Sequence, residues 1–197
     1  MRIGIYSGTF DPVHKGHVAF ALAAIEKAQL DTVYFAPEIK PRRKQHCTHI
    51  AHRIAMLRLA VRLHPKLEVL ELPDANFAPQ KTYARLRALF PTDEIVLLVG
   101  EDLLEHMHLW PYVDQLLPNI ELAIGYRKAH SKESLTNLMQ KLPTQPKDYY
   151  FVTTQYGGIS SMTIRQDLIN KKRSQDILKS IANYANNEWL YHDLSKD

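Results

Sequence analysis

A chain of 197 residues with 45% hydrophobic and 23% charged side chains can bury a substantial core, which excludes a wholly disordered protein. No apolar run approaches the roughly 20 residues that span a bilayer, so no membrane partner is expected. The net charge of +4 and pI near 9.1 favour anionic ligands without choosing between nucleotides and nucleic acid.

The first residues read as a strand with a polar turn behind it, so a secretory signal is not expected. The single cysteine, Cys47, cannot form an internal disulfide and fits a reducing cytoplasm. No repeat or long linker is visible, and residues 1–197 are expected to form a single domain. A homo-oligomer is left open.

In chain order, Arg2 to Tyr6 is a short apolar run of strand type, and Gly16 to about Gln29 is alanine-rich and reads as a helix. Thr32 to Ala36 is a second strand ended by Pro37, completing a strand–helix–strand unit that implies parallel pairing and a right-handed crossover. Pro37 to Thr48 lacks periodicity and reads as a loop. Ile50, Ile54, Leu57 and Val61 then recur at helical spacing, with Arg53, Arg58 and Arg62 between them. Leu67 to Leu70 is a third strand, Pro73 to Lys81 a loop, and Tyr83 to Phe90 a short helix closed by Pro91. Glu94 to Val99 is the strongest strand, a continuous apolar run suited to a sheet covered on both faces. Leu103 to Leu117 holds one or two short helices broken at Pro111, and Ile120 to Ile124 is a fifth strand. A helix marked by Leu135, Leu138, Met139 and Leu142, a last strand Tyr149 to Val152, and helices over Met162 to Lys171 and about Asp176 to Tyr184 complete the chain. The alternation predicts an α/β fold, doubly wound and Rossmann-like, with a mainly parallel sheet. Ligands in such sheets sit at the carboxyl ends of the strands.

The stretch Gly8-Thr9-Phe10-Asp11-Pro12-Val13-His14-Lys15-Gly16-His17 joins the first strand to the first helix. Backbone N–H groups at a helix start lack helical partners and attract anions. Gly8 and Gly16 let backbone approach a ligand, and the His14–His17 spacing puts both imidazoles on one face of the first turn. The residues thus read as a phosphate-binding loop with two extra donors; a surface turn or a metal pair is the blander alternative. Later, Gly158-Ile159-Ser160-Ser161-Met162-Thr163-Ile164-Arg165 follows a strand and opens a helix. Ser160 or Ser161 could cap it. Arg165, four residues beyond Ser161 and on the same face, has a forked donor suited to phosphate oxygens. Asp102, after Gly100, could accept from sugar hydroxyls or cap a helix from Leu103 onward.

The ten-residue stretch closely resembles the signature of the nucleotidyltransferase superfamily with the His-x-Gly-His motif. Within it, the chain resembles the nicotinate/nicotinamide mononucleotide adenylyltransferases. Ile159 to Arg165 is similar to that family's second signature. The resemblance implies ATP and nicotinate mononucleotide as substrates, Mg2+ arriving with ATP, and the dinucleotide and pyrophosphate as products. It implies that His14, His17 and Arg165 act on the transferring phosphates. Gly8, Thr9, Phe10, Gly16, Ser160 and Ser161 would line the phosphate site, with Gly100 and Asp102 at the adenosine part. Trp110 matches a tryptophan that stacks on the pyridine ring, and Thr82 the position that contacts its substituent. Gln80-Lys81-Thr82 departs from the family's usual Ser-Tyr-Thr, and Lys81 adds a cation that could favour a carboxylate. In Lys40-Pro41-Arg42-Arg43-Lys44, Arg42 and Arg43 stand where histidine and lysine are usual, which makes Arg43 a candidate at the pyridine nucleotide. That run is otherwise a solvated basic loop; without interleaved aromatic residues it is not expected to bind nucleic acid. His49 and His52 are expected on the exposed side of a helix, and no histidine group matches a structural zinc site. The same chemistry on nicotinamide mononucleotide, phosphopantetheine or a cytidylyl-transfer substrate is an alternative, as is a nucleotide-binding protein without activity.

Overall fold

Residue-by-residue alternation decides which side of the sheet each helix covers. In the computed structural model, residues 1–42, 47–126 and 132–192 are described. The elements run β1 (Arg2–Gly8), α1 (Lys15–Ala28), β2 (Thr32–Pro37), α2 (Ile50–Val61), β3 (Leu67–Val69), α3 (Pro79–Leu89), β4 (Glu94–Gly100), α4 (Glu101–Met107) and α5 (Val113–Leu116). A 3-10 turn (Leu117–Asn119), β5 (Glu121–Gly125), α6 (Lys132–Gln140), β6 (Tyr149–Val152), α7 (Ser161–Ile169) and α8 (Lys179–Asn187) follow. The strands pair in the order β3-β2-β1-β4-β5-β6, all parallel.

In β4, five successive residues from Ile95 to Val99 are buried. A strand with both faces covered has no solvent side on which to put polar residues. Val96 and Leu98 join one core with Phe20 and Ala24 of α1, Met56 and Leu57 of α2, Ile164 of α7 and Ile181 of α8. Ile95, Leu97 and Val99 join the other with Leu86, Leu104, Met107, Val113, Leu135 and Met139 from α3 to α6. Alternation along the pleat sorts them this way. Each fully buried large aliphatic side chain contributes about 1.5–3 kcal/mol.

The strand order reverses between β1 and β4, and that is where a crevice opens at the carboxyl edge of such a sheet. At the opposite edge, Arg2 donates to Glu94 (2.6 Å), to Glu121 (2.8 and 3.1 Å) and to the Tyr150 hydroxyl (3.2 Å).

Three local expectations are corrected. Helix α3 starts at Pro79, not at Tyr83, because proline takes the first helical position, where an N–H has no helical partner. Thr82 therefore lies inside the first turn. Helix α4 starts at Glu101, so Gly100 is its N-cap and Asp102 sits in the first turn without capping. His52 is half-buried, its Nδ1 3.0 Å from the Tyr184 hydroxyl on α8, whereas His49 is exposed and its Nδ1 accepts from the Ala51 N–H to cap α2.

Candidate active site

A cavity of about 680 Å³ opens over the carboxyl ends of β1, β4 and β5. His14 and His17 line it from the start of α1, Ser160, Ser161 and Arg165 from the start of α7, and Gly100 and Asp102 from the start of α4. Two signatures about 150 residues apart in sequence thus converge on one space. A larger groove, between α7 and α8, is lined by Lys171, Lys172, Arg173 and Lys179 and holds none of the predicted site residues.

The histidine pair is stacked, with ring centroids 3.6 Å apart and 26° between the planes. His14 is the N-cap residue of α1, in extended backbone, and its N–H donates to His17 Nδ1 at 3.2 Å. A nitrogen that accepts carries no proton, so neutral His17 holds its proton on Nε2. The ring is thereby fixed as a donor. His14 is buried, and burial lowers its pKa to about 4. Its Nδ1 is buried and has no hydrogen-bond partner among the described residues.

Gly16 is needed for close approach. A Cβ there would sit 3.0 Å from the Tyr156 main-chain oxygen and 3.0 Å from His14 Nδ1. The backbone oxygen cannot move aside cheaply, so α1 packs this tightly against the loop before α7 only without a side chain.

Ser160 caps α7, its Oγ accepting from the Thr163 N–H at 3.2 Å, so the capping role falls to the first of the two serines. Ser161 Oγ donates to the Pro12 carbonyl at 2.9 Å, and an Arg165 guanidinium nitrogen donates to the Asp11 carbonyl at 2.6 Å. Both side chains thus also brace the β1–α1 turn.

Charge is distributed unequally round the cavity. The first turns of α1 and α7 contain no acidic residue, leaving their positive ends unopposed, and Arg165 stands beside them. The first turn of α4 carries Glu101 and Asp102. The α1 and α7 part of the lining is suited to phosphate oxygens and the α4 part to hydroxyl or amino donors.

The other predicted residues sit elsewhere. Phe10 is buried, its ring packed on Tyr6, Phe35 and His17 at 5.1–5.3 Å, so only its backbone is left for a ligand. The Gly8 carbonyl accepts from the Glu38 N–H, and the Thr9 carbonyl from Arg53. Thr82 is buried, its Oγ1 accepting from the Ala78 N–H at 2.9 Å, beside Phe77 in a small cleft on the other face of the sheet. Trp110 is half-buried, its ring 5.9 Å from that of Phe77. The Phe77–Trp110–Thr82 neighbourhood therefore forms a second locus. Arg43 lies outside the described residues. Arg42 donates to Asn76 Oδ1 and the Phe77 carbonyl. Lys81 lies 3.6 Å from Asp74, which also accepts from Arg85.

Sequence reading missed Arg53, which is fully buried and donates to the carbonyls of Thr9, Glu38, Ile39 and Thr48. Its visible signal was an arginine on the apolar face of a helix. Also missed were Tyr6, Tyr126 and Tyr156, which line the cavity. No sequence signal marks these tyrosines.

A parallel sheet with a donor-bearing turn at its switch point, and a second helix start aimed at the same cavity, defines an α/β nucleotide-binding protein. The cytidylyltransferase-like family model matches residues 5–167. A probable nicotinate-nucleotide adenylyltransferase of Carboxydothermus hydrogenoformans is 34% identical over 175 residues, covering 86% of this chain and 87% of the relative. The nicotinate-nucleotide adenylyltransferase of Bacillus subtilis is 30% identical over 199 residues, covering 96% and 98%. The fold is also that of the Plasmodium falciparum nicotinic acid mononucleotide adenylyltransferase complexed with NaAD, at a TM-score of 0.78 and 20% identity over 96% of this chain and 97% of that one. The chain belongs to the cytidylyltransferase-like family and, within it, to the nicotinate-nucleotide adenylyltransferases.

Proposed function

We propose that the protein transfers the adenylyl group of ATP to nicotinate mononucleotide, giving nicotinate adenine dinucleotide and pyrophosphate. The observation that carries this reading is the single cavity shared by His14, His17, Ser160, Ser161 and Arg165, which the acidic first turn of α4 also lines. The triphosphate lies between the starts of α1 and α7, and the ribose side lies toward Gly100 and Asp102. A phosphate oxygen of the mononucleotide forms a bond to the α-phosphorus in line, and the bond from that phosphorus to the bridging oxygen breaks. The attacking group is already an anion, so no base or covalent enzyme intermediate is required. Catalysis consists of positioning and charge stabilisation. His17 Nε2–H and His14 donate to oxygens that gain charge, and Arg165 and Ser161 hold the departing pyrophosphate.

Among the described residues, no group of three or more His, Cys, Asp or Glu could hold a metal ion. Magnesium is assigned to the triphosphate as MgATP, the usual way this ion meets such sites. Trp110, exposed on one side and packed on Phe77 at the other, is assigned to the pyridine ring. No helix among the described residues is long and apolar enough to cross a membrane.

Lys81, which could favour a carboxylate acceptor, lies 3.6 Å from the carboxylate of Asp74. Nicotinamide mononucleotide is therefore the competing acceptor. The test is pyrophosphate release from MgATP with each mononucleotide separately. Faster release with the acid is the expected outcome. Faster release with the amide overturns the substrate assignment, and silence with both overturns the activity.

A further inference from the structure

The turn that carries the histidines is held in an unfavourable backbone. Phe10, just ahead of Asp11, has φ 52, a left-handed conformation that costs a non-glycine residue of order 1 kcal/mol or more. Something outside the turn must hold it. Asp11 is only 3% exposed and is not among the residues lining the cavity. Its Oδ1 accepts from the Tyr191 hydroxyl at 2.6 Å and its Oδ2 from the Thr48 N–H at 3.2 Å. Tyr191 itself has φ 60, so the carboxy-terminal segment also adopts a strained backbone to place this phenol.

We propose that Tyr191 is a positioning residue for adenylyl transfer: it grips Asp11, and through Asp11 fixes the turn that presents His14 and His17. The inference rests on the proposed function. A phenol donating to a buried carboxylate makes a short, charge-assisted bond, among the stronger neutral-donor contacts available. Burial and the neighbouring Asp11 push the Tyr191 phenol well above its ordinary range, so it remains a donor at any working pH. The groups around Asp11 are Tyr191 from the carboxy-terminal segment, Arg165 and Ser161 from α7, Thr48 from the loop before α2, and Arg53 acting through the Thr9 and Thr48 carbonyls. Burial opposes the Asp11 charge, but the bonds from Tyr191 and Thr48 and the nearby Arg165 outweigh it and hold the carboxyl below its ordinary value. Without the phenol, Asp11 takes up its proton at higher pH and releases the turn.

The test compares Tyr191→Phe with the parent across a pH series, after melting has shown both folded. Misplacement of catalytic groups predicts a kcat lowered about tenfold to a hundredfold with KM for MgATP within about twofold. The acid limb of the kcat profile is expected to move up. Trp189→Ala, which removes an exposed side chain close by, is expected to leave kcat and the profile unchanged. An unchanged kcat in Tyr191→Phe, or a lower kcat with the acid limb unmoved, overturns the proposal. If Tyr191→Phe does not fold, Asp11→Ala removes the group that Tyr191 holds, and an unchanged kcat in that variant overturns the proposal. If the parent itself is silent with both acceptors, the proposed function fails, and NMR titration of the His14 imidazole decides the role of Tyr191. Movement of that titration from about 4 toward the ordinary histidine value in Tyr191→Phe supports the proposal, and no movement overturns it.

Discussion

His17 and His14 are both imidazoles at the head of one helix, yet the structure gives them different properties. The N–H of His14 fixes the His17 tautomer, so His17 offers a pre-aimed donor. Removing one such donor costs roughly a hundredfold or more in turnover. His17→Ala should therefore lower kcat by about that factor while weakening MgATP binding far less, read as kcat against a binding isotherm. Unchanged turnover would remove His17 from the mechanism. His14 is instead marked by burial. It titrates near 4 in the folded protein and near 6.5 in the unfolded chain. Its folded value is lowered, so between these values unfolding takes up a proton, and stability falls as pH drops from 6.5 toward 4. The loss from this residue amounts to about 3 kcal/mol by pH 4. Asp11, with its lowered carboxyl, adds a further loss at still lower pH. Urea unfolding of the parent and of His14→Asn at pH 7 and pH 4 separates the two contributions: the variant should lose less stability over that interval.

At the scale of elements, α2 shows how one side chain can organise loops it does not belong to. Arg53 has four carbonyl acceptors and, among the described residues, no carboxylate partner. The carbonyl dipoles take the place of water round its charge. Arg53→Met leaves these part-buried acceptors without their donor, so a loss of about 1–3 kcal/mol is expected, measured by urea unfolding. Lysine should recover only part, because its ammonium cannot reproduce the flat fork that reaches three separate segments. A loss below 1 kcal/mol would show that water takes over the carbonyls. The helices and strands themselves were legible in sequence, since apolar periodicity and proline breaks are local. The start of α3 has a local signal too, in Pro79, which competes with the apolar residues that begin at Tyr83. The two signatures were legible as strand-to-helix turns. The contact of Tyr191 with Asp11 was not, because a hydrogen bond between residues 180 apart leaves no pattern in either neighbourhood. Arg53 left a signal only in its place three residues after Ile50 and four before Leu57, on the apolar face of α2, whereas Arg58 is exposed.

For the molecule as a whole, alternating strands and helices sufficed to anticipate a parallel, doubly wound sheet, and its carboxyl edge bears the cavity. The position of the second locus, at Phe77 and Trp110, depended on how α3 and α4 pack and could not be read from spacing. The Arg2 cluster on the far edge has a practical meaning. Arg2, Glu94, Glu121 and Tyr150 join four neighbouring strands at their amino ends, away from every residue assigned to chemistry. A copy of the protein tethered to a solid support through that edge would keep its nucleotide crevice turned outward to the bulk solution, already oriented for continuous-flow use.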